Sequence, residues 1–297
     1  MKRNLFHQLG AAPLIACVFV AALLIGGDVY GQGRRGESQT SHSRNVLSGE
    51  ALELVDLAST VVCRERITDP KGSVPIDDMQ SRPSLPVQSP EAVAGAKRAQ
   101  RLLPTAKALV ASSLRLLARD YNLTSSAQAA KVQRAIRRVM AVNYVRPDMD
   151  SRDNASVFLH NPHTIIFGTI FLAGLPSDEG IVAVLSHELV HIGDGGEDSL
   201  ALLFRNIGIR ASKLTGTQIS GQRAEELSCD LVGTLAARAF VAREPNYEPL
   251  PRRISRSLAH NCVEQDEGDN DHLSPRTTIR ALLSLAPDIT RALVYGR

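Results

Sequence analysis

The strongest constraint on the fold is a change of periodicity in one part of the chain. Residues 156–159 and 164–172 are rich in β-branched and aromatic residues and are separated by a short stretch containing Asn161 and Pro162, which predicts a β-hairpin. On both sides, apolar residues recur at helical spacing. The predicted helices cover residues 48–64, 90–120 with an interruption at Pro104, 126–142, 178–192, 199–213, 221–242, 252–260 and 275–286. We therefore expect a mainly helical α+β protein with one small sheet.

Composition excludes several classes of protein. The 297 residues are 43% hydrophobic and 22% charged, which are globular proportions. Aromatic residues make up only 4% of the chain and Trp is absent, so a sheet of stacking platforms for single-stranded nucleic acid is not expected. The net charge of +3 does not indicate a polyanionic partner. The sequence therefore predicts no nucleic-acid partner, and it carries no signal for an oligomeric state.

The first residues are typical of a secretory leader. Lys2 and Arg3 precede an apolar, uncharged stretch over residues 11–27, and small residues follow it, so residues 1–31 are interpreted as a signal peptide. An uncleaved membrane anchor and a lipoprotein signal ending at Cys17 are the alternatives. In each case the protein is expected to be extracytoplasmic, either periplasmic or secreted, and an uncleaved leader would anchor it through its N-terminal segment.

Two segments follow the leader. Residues 32–90 are predicted to hold an N-terminal helix and a Pro/Ser-rich linker, and residues 91–297 form the main domain. Cys63, Cys229 and Cys262 remain after removal of the leader. A Cys63–Cys262 disulfide with Cys229 packed as a small apolar residue is one interpretation, and three reduced thiols is the other.

The chemistry-bearing motif lies on the predicted helix 178–192. His187 and His191 are four residues apart, so both imidazoles project from one face and can share a metal ion. Glu188 lies between them in the H-E-x-x-H pattern, where a carboxylate can reach a metal-activated water. Two histidines leave a catalytic zinc site one protein ligand short.

A later helix offers that ligand. Glu226 and Asp230 are one turn apart, so Glu226 can complete the metal site while Asp230 orients a ligand imidazole. Glu225 projects about 100° away from Glu226 around the helix and is not predicted as a ligand. The alternative interpretation is that Glu225, Glu226 and Asp230 form an ordinary solvent-exposed acidic face of the helix. The metzincin pattern is a poor fit, because Glu197 stands where its third His would lie.

H-E-x-x-H followed by R-x-x-E-x-x-x-D resembles the HtpX-like and CAAX-prenyl-endopeptidase-like zinc metallopeptidases, a gluzincin family. Further similar segments are residues 153–156, 164–174 and 271–282, and the resemblance covers about residues 102–286. The chain differs from the family pattern at Cys229, where Ala is usual, at Val157, at Leu273 and in the order of Ile279 and Arg280. The transmembrane helices of HtpX-like members are also missing.

This resemblance implies a zincin-like metallopeptidase domain with the small sheet beside the H-E-x-x-H helix. It implies one Zn²⁺ per chain, held by His187, His191 and Glu226, and hydrolysis of peptide bonds by a metal-activated water with Glu188 as general base. His272 is then a candidate donor to the oxyanion, and a polypeptide substrate is expected to add a strand at the edge formed by residues 158–171. Protein quality control is the expected setting.

Other functions remain open at this point. One is a catalytically silent zinc-binding relative that acts as a chaperone or assembly factor, although the presence of Glu188 argues against it. Another is a helical interaction domain without stoichiometric metal. A hydrolase of non-peptide bonds is the third.

Overall fold

Seven helices are present in the residues that the computed structural model describes, namely 83–152, 154–158, 160–173, 178–195, 199–243 and 268–295, with side chains described up to residue 285. They are α1 Pro90–Asp120, α2 Ser126–Ala141, α3 Thr169–Ala173, α4 Asp178–Asp194, α5 Ala201–Thr215, α6 Gln222–Val241 and α7 Pro275–Tyr295. The prediction of a mainly helical α+β protein is confirmed. The predicted leader, the helices 48–64 and 252–260, Cys63 and Cys262 lie outside the described residues.

The sheet has three strands, β1 Tyr144–Asp148, β2 Ala155–Val157 and β3 Thr164–Gly168, in the order β1-β3-β2. β2 and β3 form the predicted antiparallel hairpin, with Ser156 opposite Ile166. β1 was not predicted and pairs with β3 in parallel. Pro147 lies in β1, which is tolerated because β1 is an edge strand.

The predicted second strand is too long. It ends at Gly168, and the chain turns at once into α3. A Cβ atom at Gly168 would lie 1.9 Å from the Arg152 carbonyl oxygen, so only glycine permits this close approach. Because β3 is the central strand, the expectation of a substrate edge over residues 158–171 is wrong, and the two edge strands are β1 and β2.

Helix α1 continues through Pro104, where an interruption was predicted. Proline inside a helix costs about 3 kcal/mol because it removes a backbone hydrogen bond and crowds the preceding turn. Leu102, Leu103 and Ala106 around it are buried in the core. Burial of this apolar stripe outweighs the local preference of Pro104.

Helix α4 is at the centre of the fold and packs against α1, α2 and α6. Of its 17 residues, only Asp178, His187 and His191 are not buried. Asp178, at the N-terminus of α4, forms an ion pair with Arg98 of α1. The prediction ended this helix at residue 192, with Gly193 as its stop, but the helix passes through Gly193 and ends where Gly195 adopts a left-handed conformation with φ of 67°.

Within the described ranges, no helix is both long enough and apolar enough to span a membrane.

Candidate metal centre

Two imidazoles reach the solvent from the otherwise buried α4. His187 and His191 lie one turn apart on the same face, as their spacing predicts, and their Nε2 atoms are 3.2 Å apart. Their side chains are 18% and 17% exposed. The core packing of α4 thus fixes both rings at the rim of the fold with the same nitrogen of each ring facing the other.

Glu226 brings a carboxylate from α6 to this pair. Its Oε2 atom is 3.3 Å from His187 Nε2 and 3.5 Å from His191 Nε2. Zn²⁺ binds imidazole nitrogen and carboxylate oxygen at 2.0–2.2 Å, so two ligand atoms of a tetrahedral site lie about 3.3–3.5 Å apart. The three distances, 3.2, 3.3 and 3.5 Å, therefore fit three corners of such a site.

Each imidazole also contacts a carboxylate through its other nitrogen. His187 Nδ1 donates to Asp230 Oδ1 at 2.8 Å, which is the placement predicted for Asp230. His191 Nδ1 donates to Glu225 Oε1 at 3.0 Å. Carboxylates in this position fix the tautomer and the orientation of a metal-binding histidine. With Nδ1 carrying the proton, Nε2 of each ring is the atom available to a metal ion.

The contact of Glu225 was missed from the sequence. Helical geometry does direct Glu225 away from Glu226, but α6 runs antiparallel to α4 here, so Glu225 lies beside His191 and Asp230 beside His187. The signal that could have identified it is the matched spacing of one acid per histidine on two helices of opposite direction. This signal is visible only once the direction of α6 is known.

The side chains of His187, His191 and Glu226 shift each other's pKa values. Burial lowers the pKa of His187, but hydrogen bonds to Asp230 and Glu226 outweigh burial and raise it well above its ordinary value. Burial raises the pKa of Glu226, yet hydrogen bonds with His187 and His191 outweigh that effect and hold it well below its usual range. Without a metal ion, the carboxylate is therefore ionised and is balanced by protonated imidazole.

Cys229, interpreted from the sequence as a small apolar core residue, also lies beside the site. It is a free, fully buried thiol, and its Sγ atom is 3.8 Å from His191 Nδ1. Candidate ligand atoms of His187, His191 and Cys229 all lie within 4.8 Å of one another, so this group could also hold a metal ion. Burial raises the pKa of the Cys229 thiol, which keeps it protonated, whereas metal ions bind the thiolate.

The turn before α7 places His272 beside the same site. Its Nε2 atom is 3.6 Å from Glu226 Oε2, and its Nδ1 atom is 3.0 Å from Asp269 Oδ1. Arg223 of α6 donates to the Asp269 carbonyl oxygen at 2.6 Å and ties this turn to the helix that carries Glu226. The side chain of His272 is 52% exposed, so it lies on the solvent side of the cluster.

Glu188 follows His187 in α4 and is 7% exposed. Among the described residues its carboxylate has no hydrogen-bond or ion-pair partner, in contrast to Glu225, Glu226 and Asp230. A carboxylate at this position, next to a candidate ligand, can accept a proton from a molecule that enters the site.

Comparisons of the chain with protein-family models, with curated proteins and with solved structures found no match in any of the three. The interpretation of the site therefore depends on the chain's own residues and their geometry.

Proposed function

We propose that the chain is an extracytoplasmic zinc-dependent metalloendopeptidase of the HtpX-like type, in which His187, His191 and Glu226 hold one Zn²⁺. The observation that carries this proposal is the triangle of two Nε2 atoms and one Oε2 atom, with sides of 3.2, 3.3 and 3.5 Å. The distances fit a tetrahedral site with a fourth position left for a reactant, which is the arrangement of catalytic zinc.

The donor set also supports the choice of metal and of ligands. Two imidazoles and one carboxylate form a catalytic zinc set found in hydrolases, and zinc in such a set polarises a carbonyl group and makes water acidic enough to attack it near neutral pH. Cys229 is the weaker third ligand, because its sulfur lies 3.8 Å from Nδ1 of His191, the nitrogen that donates to Glu225 and not the one that faces His187 and Glu226.

The remaining residues then have distinct roles. Glu188 accepts the proton of the attacking water and passes it to the leaving amine, a role that its place beside the ligand His187 in H-E-x-x-H supports. His272 approaches from the solvent side and donates to the oxygen on which negative charge develops. Asp230 holds His187 in the tautomer that presents Nε2 to the metal.

The zincin-like fold is part of the same proposal. The H-E-x-x-H helix α4 packs against the β2–β3 hairpin, and the second helix, α6, supplies Glu226. β2 is the short edge strand next to α4, and an extended peptide that pairs with it gains main-chain hydrogen bonds with little dependence on sequence. This mode of binding suits a polypeptide substrate, and its low dependence on sequence suits a role in protein quality control.

The test is cleavage of a peptide library by the purified full chain loaded with Zn²⁺, with Glu188→Gln beside it. The parent is expected to cleave internal peptide bonds, and E188Q is expected to bind one Zn²⁺ per chain with the parent's affinity but to lose at least about 10²-fold in activity.

Cleavage that survives in E188Q would contradict the role of Glu188. If both proteins bind one Zn²⁺ and neither cleaves, the chain is a silent zinc-binding relative and the peptidase proposal is wrong. If neither binds a metal ion, the site itself is wrong, and a helical interaction domain becomes the better interpretation.

A further inference from the structure

We propose that Glu225 is a positioning residue that selects which nitrogen of His191 faces the metal, and that it thereby keeps the buried Cys229 thiol out of the ligand set. This inference rests on the metal site proposed above. It concerns a residue that helical spacing alone assigns to the solvated face of α6.

Two groups compete for the same nitrogen of His191. Glu225 Oε1 lies 3.0 Å from Nδ1 and Cys229 Sγ lies 3.8 Å from it. A hydrogen bond of an imidazole N–H to a carboxylate at 3.0 Å has normal length and is charge-assisted, whereas a thiol is a weak partner. Nδ1 therefore carries its hydrogen toward Glu225 and has no lone pair for a metal ion.

The choice of nitrogen decides the ligand set. With Nδ1 bonded to Glu225, Nε2 of His191 points at His187 Nε2 and Glu226 Oε2, at 3.2 and 3.5 Å. A metal ion that used Nδ1 instead would lie on the side of Cys229, and it would gain a sulfur ligand. The first set, two nitrogens and one oxygen, matches a known catalytic zinc set, and the second adds a sulfur ligand, which also raises the affinity for soft ions such as Cu(I).

A comparison with His187 shows why the carboxylate partner of His191 matters more. His187 Nδ1 is held by Asp230 at 2.8 Å, and no thiol competes for it in the described part of the chain. Cys229 Sγ makes its hydrogen-bond-range contact with Nδ1 of His191, at 3.8 Å, so the orientation of His191 depends more heavily on its carboxylate. The side chain of Glu225 is 33% exposed, so it can be replaced with little disturbance of the core.

The experiment compares Glu225→Leu and Glu225→Gln with the parent and with Glu91→Gln, an exposed acid at the start of α1 that serves as the matched control. Zn²⁺ affinity of the full chain is measured by competition with a chelator. E225L is expected to bind about 10–100-fold more weakly. E225Q is expected to lose less, because its amide oxygen still accepts from Nδ1, and E91Q is expected to match the parent.

Co²⁺ supplies a readout that a general loss of stability would not give. Thiolate ligands to Co²⁺ produce an intense near-ultraviolet charge-transfer band, whereas imidazole and carboxylate ligands do not. The band is expected to be absent in the parent and in E225Q. It is expected to appear in E225L and to disappear again in the double variant with Cys229→Ala.

Several results would overturn the inference. A thiolate band in the parent means that Cys229 already binds the metal, and an unchanged Zn²⁺ affinity in E225L means that Glu225 does not position His191. If E225L does not fold, Glu225→Ala, which also removes the acceptor of Nδ1, takes its place, and an unchanged Zn²⁺ affinity in E225A has the same meaning. In each case the parent still binds metal, so the site survives. Absence of metal binding in the parent would instead remove the site and this inference together.

Discussion

At the scale of the residue, each imidazole of the site is held at both of its nitrogens. His187 contacts Asp230 through Nδ1 and Glu226 through Nε2, and His191 contacts Glu225 and Glu226 in the same way. The rings are therefore oriented by folding, before any metal ion arrives. A metal ion that replaces the protons between Nε2 and Oε2 finds its three ligand atoms already in place, so little ordering is required on binding.

The loss of Zn²⁺ affinity on replacing single carboxylates should distinguish a metal ligand from a residue that only orients a ligand. Asp230→Asn keeps a side-chain oxygen near His187 but removes the negative charge, and we expect Zn²⁺ affinity to fall about tenfold, at the low end of the cost of losing such a carboxylate. Glu226→Ala removes a ligand atom and should cost more than D230N. Chelator competition measures both, and a loss in D230N that exceeds the loss in E226A would contradict these assignments.

The affinity for metal should rise with pH. Burial lowers the pKa of His187, but hydrogen bonds to Asp230 and Glu226 raise it well above the ordinary 6.5, so the metal-free ring still holds its second proton at pH 6.5. That proton must leave when a metal binds, so affinity rises about tenfold per pH unit for each proton released, up to the raised pKa.

Chelator competition at several pH values between 6 and 8 measures this slope. D230N is the matched control, because the loss of the Asp230 charge lowers the pKa of His187 and should flatten the slope. An affinity that is constant from pH 6 to pH 8 would show that both imidazoles are already neutral there.

At the scale of the element, the burial of α4 and the fixing of its C-terminal turn determine where His187 and His191 lie. The helix is buried along nearly its whole length, and the backbone after His191 is held by Arg138 of α2. Arg138 Nη1 donates to the Gly193 and Asp194 carbonyl oxygens at 3.2 and 2.9 Å. A cation at a helix C-terminus satisfies carbonyl groups that have no partner within the helix.

Arg138→Gln should therefore destabilise the last turn of α4. We expect a loss of about 1–2 kcal/mol in the free energy of unfolding, together with a weaker hold on metal, because His191 lies in that turn. Arg137→Gln is the matched control, since Arg137 is exposed on the same helix. Denaturant titration measures both, and equal stabilities of R138Q and R137Q would show that the carbonyl contacts contribute nothing.

The elements also show what sequence patterns can predict. Helices α2, α4, α5 and α6 were predicted to within about two residues because their apolar spacing is regular and local. The helices were predicted to break at Pro104 and to end at Gly193, and both predictions are wrong. Tertiary burial outweighs the local helix propensity of both residues. β1 was missed because it contains Pro147 and because it is stabilised by its parallel partner β3, a pairing that the pattern of β1 itself does not encode.

The residues of the site also fall into those that sequence spacing predicts and those that depend on helix packing. His187, Glu188 and His191 follow from spacing within one helix, and Glu226 and Asp230 from spacing within another. The contacts of Glu225 and Cys229 with His191 depend on how α6 crosses α4, and no pattern within α6 alone encodes that crossing.

At the scale of the whole molecule, the candidate site joins three segments that are distant in sequence. His187 and His191 come from α4, Glu226 from α6 and His272 from the turn before α7, and α6 and α7 pack against each other. The unfolded chain cannot bring these groups together, so metal binds the folded state in preference. The free energy of metal binding is then also free energy of folding.

Zn²⁺ should accordingly raise the melting temperature in a concentration-dependent way. At a free concentration of 100 times Kd, binding to the folded state alone adds about 2.7 kcal/mol, which for a domain of this size corresponds to a shift of about 5–11 °C. Differential scanning calorimetry of the full chain measures the shift. E226A should abolish it, while E188Q should keep it, because Glu188 is not a ligand of the proposed site. A shift of equal size in E226A would mean that Zn²⁺ stabilises the chain somewhere else, and the triangle of His187, His191 and Glu226 would then not be the site that couples metal to the fold.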